Sequence, residues 1–220
     1  NLQLNTHRKC IIEASNGEEE IKIKVPNGHV SFMHHLWIST KDHQLQNFHD
    51  LPLSRFVFRQ HKGEDMEIQL ALPAQGKYKL ELFVNNCPET SRTHSWACIY
   101  VILNDAAKEG IVPLPANVRS QWGPGPDLFR AGLKPISHED AVIEAEFGVA
   151  HLKFKAERDV EMLHTLHSNT FSKEDLTKNA LVYQEGVYMM VKVKLPSAGE
   201  YALNLYAEDV GKDGSFTNVC

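Results

Sequence analysis

Apolar and polar residues alternate along most of the chain with a period of two, the spacing that sends successive side chains to opposite faces of a β-strand. In Met66–Leu72 (MEIQLAL) the residues Met66, Ile68, Leu70 and Leu72 share one face, and in Tyr188–Leu195 the residues Met189, Val191, Val193 and Leu195 do the same. The pattern predicts seven strands in each half. In the first half they are Cys10–Glu13, Glu20–Val25, Val30–Ile38, Arg55–Arg59, Met66–Leu72, Lys77–Val84 and His94–Leu103. In the second they are Ala141–Ala145, Ala150–Lys155, Val160–Leu166, Ala180–Tyr183, Tyr188–Leu195, Glu200–Ala207 and Ser215–Cys220. Turn signals separate them: Asn27-Gly28, Gly63, Pro73 with Gly76, Asn85-Asn86, Pro196 with Gly199, and Gly211 through Gly214. No segment sustains an apolar stripe of helical period. Ser172–Asn179 can form one turn, with Ser172 as cap and Asp175 three residues on.

The two halves repeat each other. LPAQGKYKLELFV (Leu72–Val84) returns as LPSAGEYALNLYA (Leu195–Ala207). Upstream, Gly17 aligns with Gly148, Ile21 and Ile23 with Leu152 and Phe154, and Val30, Phe32 and Leu36 with Val160, Met162 and Leu166. Downstream, Trp96-Ala97-Cys98 aligns with Asn218-Val219-Cys220. A repeat of about 100 residues is a domain copied in tandem, since solenoid repeats are shorter. Many short strands at regular spacing predict an all-β chain of two tandem immunoglobulin-like (Ig-like) β-sandwiches, about seven strands each. Tyr78 and Tyr201 then stand where such sandwiches place a corner tyrosine, and Leu80 and Leu203 stand where many carry a disulfide cysteine.

The expected boundaries are 1–104 for the first domain, 105–127 for a Pro/Gly-rich connecting segment and 128–220 for the second domain. Pro113, Pro115, Pro124 and Pro126 exclude a regular helix in that connection, and Ile111, Val112, Leu114 and Trp122 predict that it packs across the junction. The last strand of the second domain stops four or five residues short of its counterpart, and the chain starts at Asn1 without Met, so a piece of a longer protein is expected.

Charge narrows the function. A net charge of −5 leaves no basic nucleic-acid footprint, and the longest apolar run, WACIYVIL (Trp96–Leu103), has eight residues where a bilayer-spanning helix needs about 20. Neither nucleic acid nor membrane is an expected partner. Cys10, Cys87, Cys98 and Cys220 are too sparse for a disulfide scaffold and form no C-x-x-C pair. Reduced thiols in the cytoplasm are therefore expected, with a secreted module as the alternative.

None of the candidate chemistry forms a site. Cys98 and Cys220 lie within apolar strands at equivalent repeat positions, Cys10 opens an apolar strand with burial expected, and Cys87 lies in a loop; none has the electropositive, base-assisted setting of a nucleophile. His34 and His35 are adjacent, so a strand sends them to opposite faces, and His164 and His167 face apart for the same reason. With His43 and His49 they are expected as strand-end and loop residues instead of metal ligands. The acidic groups Gly17–Glu20, Gly63–Asp65, His138–Asp140 and Glu208–Gly214 lack EF-hand spacing and are expected as solvated turns. Trp37, Trp96 and Trp122 could form a ligand surface, but core or junction packing is the expectation. No catalytic, cofactor-binding or metal-binding residue is assigned, and no cofactor.

Each repeat runs G-x-x-x-I-x-I, V-x-F-x-x-x-L, then L-P-x-x-G-x-Y-x-L-x-L and a last strand with AC or VC, joined by PLP…WGPGP…GLKPIS. This pattern resembles the Ig-like domains of the kyphoscoliosis peptidase and hillarin family over nearly the whole chain. The resemblance implies a parent protein with a separate transglutaminase-like Cys-His-Asp core, a cytoplasmic, cytoskeleton-linked setting and protein partners. It supplies no catalytic residue to this chain. The expected function is a non-catalytic interaction or scaffold module. The alternatives are an accessory part of a cysteine peptidase or transglutaminase site, or an extracellular adhesion or carbohydrate-binding module.

Overall fold

A computed structural model describes residues 3–25, 30–41, 43–85, 93–117, 121–208 and 214–220. The turn expected at Asn27-Gly28, together with Asn86, Cys87 and Gly211, lies outside the described residues. The chain divides into two compact units, Asn1–Leu114 and Pro115–Cys220. The Pro/Gly-rich segment is thus shared between them, 105–114 with the first and 115–127 with the second.

Unit 1 contains β1 (Gln3–Leu4), β2 (Ile11–Ala14), β3 (Glu18–Lys24), β4 (Ser31–Ser39), β5 (Gln44–Leu45), β6 (Asn47–Phe48), β7 (Leu51–Pro52), β8 (Val57–Lys62), β9 (Asp65–Ala71), β10 (Gly76–Asn85) and β11 (Ser95–Asn104). They form a sheet in the order β1-β3-β9-β8, a sheet in the order β2-β11-β10-β4-β5, and the small hairpin β6-β7. One apolar cluster joins the sheets: Ile21, Ile23, Met66 and Ile68 from the first meet Phe32, Leu36, Leu80, Leu82 and Ile102 from the second. These are the alternate positions that the sequence pattern assigns to one face. The strand expected from Arg55 instead begins at Val57, because Leu53–Phe56 coils into a 3-10 turn that buries Leu53 and Phe56. Side chains three apart on such a turn eclipse, so both point at the core.

Unit 2 contains α1 (Pro126–Arg130), β12 (Leu133–Pro135), β13 (Val149–Ala156), β14 (Met162–Ser168), α2 (Lys173–Leu176), β15 (Ala180–Glu185), β16 (Tyr188–Lys194), β17 (Tyr201–Glu208) and β18 (Phe216–Asn218). Its sheets run β12-β13-β16-β15 and β14-β17-β18, over a core that includes Leu133, Phe154, Leu166, Val191 and Leu205. The cap at α2 is the expected one, with the Asp175 N–H donating to Ser172 Oγ at 3.2 Å. Helix α1 takes in only the last two residues of the 105–127 connection, Pro126 and Asp127. Pro126 is its first residue, where a fixed φ suits the helix and the missing N–H has no bond to lose.

Ala141–Ala145 also departs from expectation: it forms no strand. Its alternation is of the right kind, but what it lacks is a partner. In unit 1 the matching strand β2 pairs in parallel with β11, Ile11 to Val101 through Ala14 to Asn104, and in unit 2 no described strand occupies the place of that part of β11. The turn that follows is nonetheless built alike in both units. Asn16 and Gly17 have φ of 59° and 72°, Phe147 and Gly148 of 51° and 76°. The Gly17 carbonyl accepts from Leu72 N–H, and that of Gly148 from Leu195 N–H, both at 2.7 Å.

Both corner tyrosines reach back four residues. Tyr78 Oη donates to the Ala74 carbonyl at 2.9 Å and accepts from its N–H at 3.1 Å. Tyr201 Oη donates to the Ser197 carbonyl at 3.2 Å. Tyr78 is fully buried while Tyr201 is half-buried, so water can replace the second hydroxyl and not the first. Tyr78→Phe is therefore expected to destabilise unit 1 by about 1–2 kcal/mol, and Tyr201→Phe to change unit 2 by less than about 1 kcal/mol. Urea unfolding followed by unit-resolved amide signals measures both.

Candidate interaction surface

The second face of the unit 1 sheet β2-β11-β10-β4-β5 is also largely apolar. Backbone register sets its side chains in rows across the strands. Met33, Phe83 and Trp96 form one row; His35, Glu81 and Ile99 form the next. Trp37, Lys79, Val101 and Ile11 form a third, and Ser39, Lys77, Leu103 and Glu13 a fourth. The ladder shifts between Leu82 and Phe83, where Leu82 pairs with Cys98 but Phe83 with Trp96. This irregularity turns Trp96 onto the outer face although its sequence spacing from Cys98 would place both on the inner one.

The rings then pack edge to face. Phe83 lies 5.2 Å from Trp96 and 5.1 Å from His35, and His35 lies 6.3 Å from Trp37. Trp96 stays 61% exposed and Ile11 55%, with Met33, Ile99 and Leu103 exposed beside them. Trp37 and Trp96 are thus on the surface, which corrects the expectation of core packing.

One carboxylate is sunk into this face. Glu81 is only 5% exposed. It accepts from Trp37 Nε1 at 2.9 Å, pairs with Lys79 at 3.0 Å, and has His35 Nδ1 at 3.7 Å. Burial by itself would raise its pKa, but Lys79, the Trp37 N–H and His35 together hold the carboxyl below its usual range. Lys79 also lies 5.2 Å over the Trp37 ring. The charge is thus answered from within, and it locks the aromatic side chains in place. Such a surface has no activated nucleophile to offer. What it presents is a rigid aromatic and aliphatic platform, the composition of a protein-binding face.

The other sequence candidates stay dispersed. His34 points inward and its Nδ1 accepts from Arg59 Nη1 at 3.2 Å, while His35 points outward. His167 contacts Thr165 at 3.1 Å on one face of β14, with His164 on the alternate positions. Glu18 pairs with Lys108, Glu20 with Lys22 and Glu64 with Lys24. Among the described residues no three His, Cys, Asp or Glu side chains converge on one point. Cys10 is exposed, a correction, because β2 sits at the sheet edge and Cys10 precedes its first buried position, Ile12. Cys98 and Cys220 lie at matching places, Cys98 paired with Leu82 and the Cys220 carbonyl accepting from Leu205 N–H at 3.0 Å. Burial raises the Cys98 thiol, and raises that of Cys220, enclosed although the residue is half-exposed, to about 12. Neither thiol is a thiolate at neutral pH. Phe83, Met33, Ile99, Leu103 and Glu81 were absent from the sequence candidates. Their signal is that both faces of β4 and β11 read as apolar while only one can meet the core.

A sequence profile described as KY-like, immunoglobulin-like domain matches residues 1–115 and again 120–220. Among curated proteins the chain is 25% identical over 212 residues to Lim and transglutaminase domain protein ltd-1 of Caenorhabditis elegans, covering 92% of this chain and 29% of that protein. It is 25% identical over 205 residues to Hillarin of Drosophila melanogaster, covering 89% and 25%, and 26% identical over 159 residues to the kyphoscoliosis peptidase of Mus musculus, covering 70% and 23%. The chain thus spans between a fifth and a third of the length of the relatives it matches. Two sandwich units with matching glycine turns and tyrosine corners, each met by the same profile, place the chain in the family of KY-like, immunoglobulin-like domains.

Proposed function

We propose that the chain is a non-catalytic protein-binding module of a larger, transglutaminase-like protein, and that it binds through the outer face of the β2-β11-β10-β4-β5 sheet in unit 1. The observation that carries this reading is the outer row of Met33, Phe83 and Trp96, in which Met33 and Trp96 are exposed beside a buried Phe83, with Ile99, Leu103 and Ile11 also exposed on the same face. Large contiguous apolar patches on folded domains mark interaction sites. The partner is a protein surface with an apolar centre, since Glu81 is already neutralised by its own neighbours. A cytoplasmic, cytoskeleton-associated location belongs to the same proposal and rests on the sparse cysteines and the family resemblance.

The test is photo-crosslinking in the full-length protein, with a diazirine-bearing residue at position 96 or, as a control, at exposed position 69 on the other sheet. Protein adducts from position 96 and none from 69 are expected; equal labelling from both sites would remove the sheet face from the argument. Peptide hydrolysis or crosslinking by the isolated chain, abolished by Cys98→Ala or Cys220→Ala, would overturn the non-catalytic reading.

A further inference from the structure

The outer face of the sheet β12-β13-β16-β15 in unit 2 has lost carboxylates that its repeat counterpart keeps. In unit 1 the matching sheet is β1-β3-β9-β8, and two of its outward lysines are answered from within the unit. Lys22 pairs with Glu20 at 3.2 Å and Glu67 at 3.3 Å, and Lys24 with Glu64 at 2.9 Å. The two registers correspond residue for residue, Ile21 with Ile68 in one and Leu152 with Val191 in the other. Lys22 and Lys24 therefore return as Lys153 and Lys155, but Glu20, Glu64 and Glu67 return as His151, Val187 and Met190. Gln69 and Ala71 meanwhile become Lys192 and Lys194.

The four lysines of unit 2 form a stripe. Pairing sets Lys155 beside Tyr188, Lys153 beside Met190, Lys192 beside His151 and Lys194 beside Val149, so successive rows of the face each carry one lysine. Among the described residues none of the four has a carboxylate within ion-pair distance. Lys153 lies over the Tyr188 ring instead, at 3.8 Å, and Lys155, Lys192 and Lys194 are exposed. The carboxylates nearby do not answer the stripe: Glu157 is held by Lys134 at 2.6 Å, and Glu185 sits across from Tyr188 at the end of the face. Unit 2 as a whole has more Asp and Glu than Lys and Arg, so its positive charge is collected here.

We infer that this face binds an extended acidic segment of another polypeptide, with carboxylates at alternate positions lying along Lys155, Lys153, Lys192 and Lys194. Rows of a sheet face are about 6.4–6.8 Å apart, which is also the two-residue step of an extended chain. Carboxylates are the groups this part of the repeat already holds in unit 1, where the matching lysines keep them at 2.9 to 3.3 Å. A stripe one lysine wide fits a single chain, whereas a bilayer or a nucleic acid presents phosphates over a broader surface. Phosphate recognition also favours the forked guanidinium of arginine, and β12, β13, β15 and β16 contain no arginine. Exposed ion pairs contribute little one at a time, so the four lysines acting in register set the affinity, and added salt weakens it. The face is separate from the unit 1 platform and stands whether or not that platform binds.

The probe is a fluorescein-labelled peptide of alternating threonine and glutamate, offered to the 220-residue chain at low ionic strength. Anisotropy reads the affinity, and backbone amide shifts locate the site. Binding is expected with shifts at His151–Lys155 and Met190–Lys194, and Lys192→Glu/Lys194→Glu is expected to weaken it at least about tenfold. Lys192→Gln/Lys194→Gln, which removes the charge without reversing it, should weaken it at least about threefold. Lys9→Glu/Lys62→Glu alters exposed positions of unit 1 and changes the net charge equally; it should leave the affinity within about twofold. No binding by the unsubstituted chain, shifts confined to other strands, or equal weakening by the unit 1 pair overturns the proposal. So does tighter binding of phosphatidylserine vesicles or of a single-stranded oligonucleotide than of the peptide, lost on the same Lys192 and Lys194 substitutions, since the face would then be a phosphate surface.

Discussion

Gly17→Ala is expected to destabilise unit 1 by about 3–5 kcal/mol, and Gly148→Ala, at the same position of the repeat, to destabilise unit 2 by only about 1–2 kcal/mol. Both glycines have φ above 70°, so both variants carry the cost of a side chain in the left-handed region. They differ in what lies above them. A Cβ on Gly17 would stand 2.2 Å from the Lys108 nitrogen and 2.9 Å from the Ala107 carbonyl carbon. Both are backbone atoms, and Lys108 N–H is bonded to the Leu72 carbonyl at 3.2 Å, so that segment cannot move aside without losing a bond. A Cβ on Gly148 would meet only the Leu195 carbonyl oxygen, at 3.3 Å, which a small shift relieves. Thermal or urea unfolding of the two variants decides the matter. Equal losses would mean that conformational strain alone governs both positions and that the 105–108 crossing is not rigid.

Unit 1 should also lose stability in mild acid. His34, Arg59 and His61 lie together between its sheets. Burial, then the Arg59 charge, then His35, hold His34 well below the usual imidazole range. Burial and then Arg59 lower His61 to about 4, against a smaller opposing effect of a backbone bond to Val30. Burial lowers Arg59 itself to about 10, still far above neutrality. Both histidines are therefore neutral in the folded unit while the unfolded chain takes up protons near pH 6.5. The unfolded state binds more protons in that interval, so stability is full above pH 6.5 and falls as the pH drops toward 4. His61 alone accounts for a loss of about 3 kcal/mol across the interval, with His34 adding to it. His61→Phe, which keeps an aromatic ring against Phe32, should flatten the pH dependence of amide exchange in β10. An unchanged slope would assign the acid sensitivity to other groups.

The architecture was legible because period-two alternation and a long internal repeat report directly on strand faces and domain copies. The corner tyrosines and the Ser172 cap were readable for the same reason, each being a short local rule. Other features depended on partners distant in sequence. Gln3–Leu4 and Gln44–Leu45 are strands only because β3 and β4 run beside them. Ala141–Ala145 has a strand's pattern but pairs with no strand among the described residues. The aromatic face was hidden because WACIYVIL is apolar on both faces. Such a run reads as a strand buried on both sides, and only the other sheet of the sandwich decides which side meets the core. The register shift at Leu82/Phe83, which brings Trp96 outward, has no local sequence signature.

The parallel pairing of β2 with β11 has a mechanical consequence. The two strands stand at opposite ends of unit 1 in sequence, and their parallel direction means that a pull on the two ends of the unit drags them past each other lengthwise. The bonds from Val101 N–H to the Cys10 carbonyl and from Asp105 N–H to the Ala14 carbonyl are then loaded together instead of one after another. Shear of this kind resists force better than unzipping.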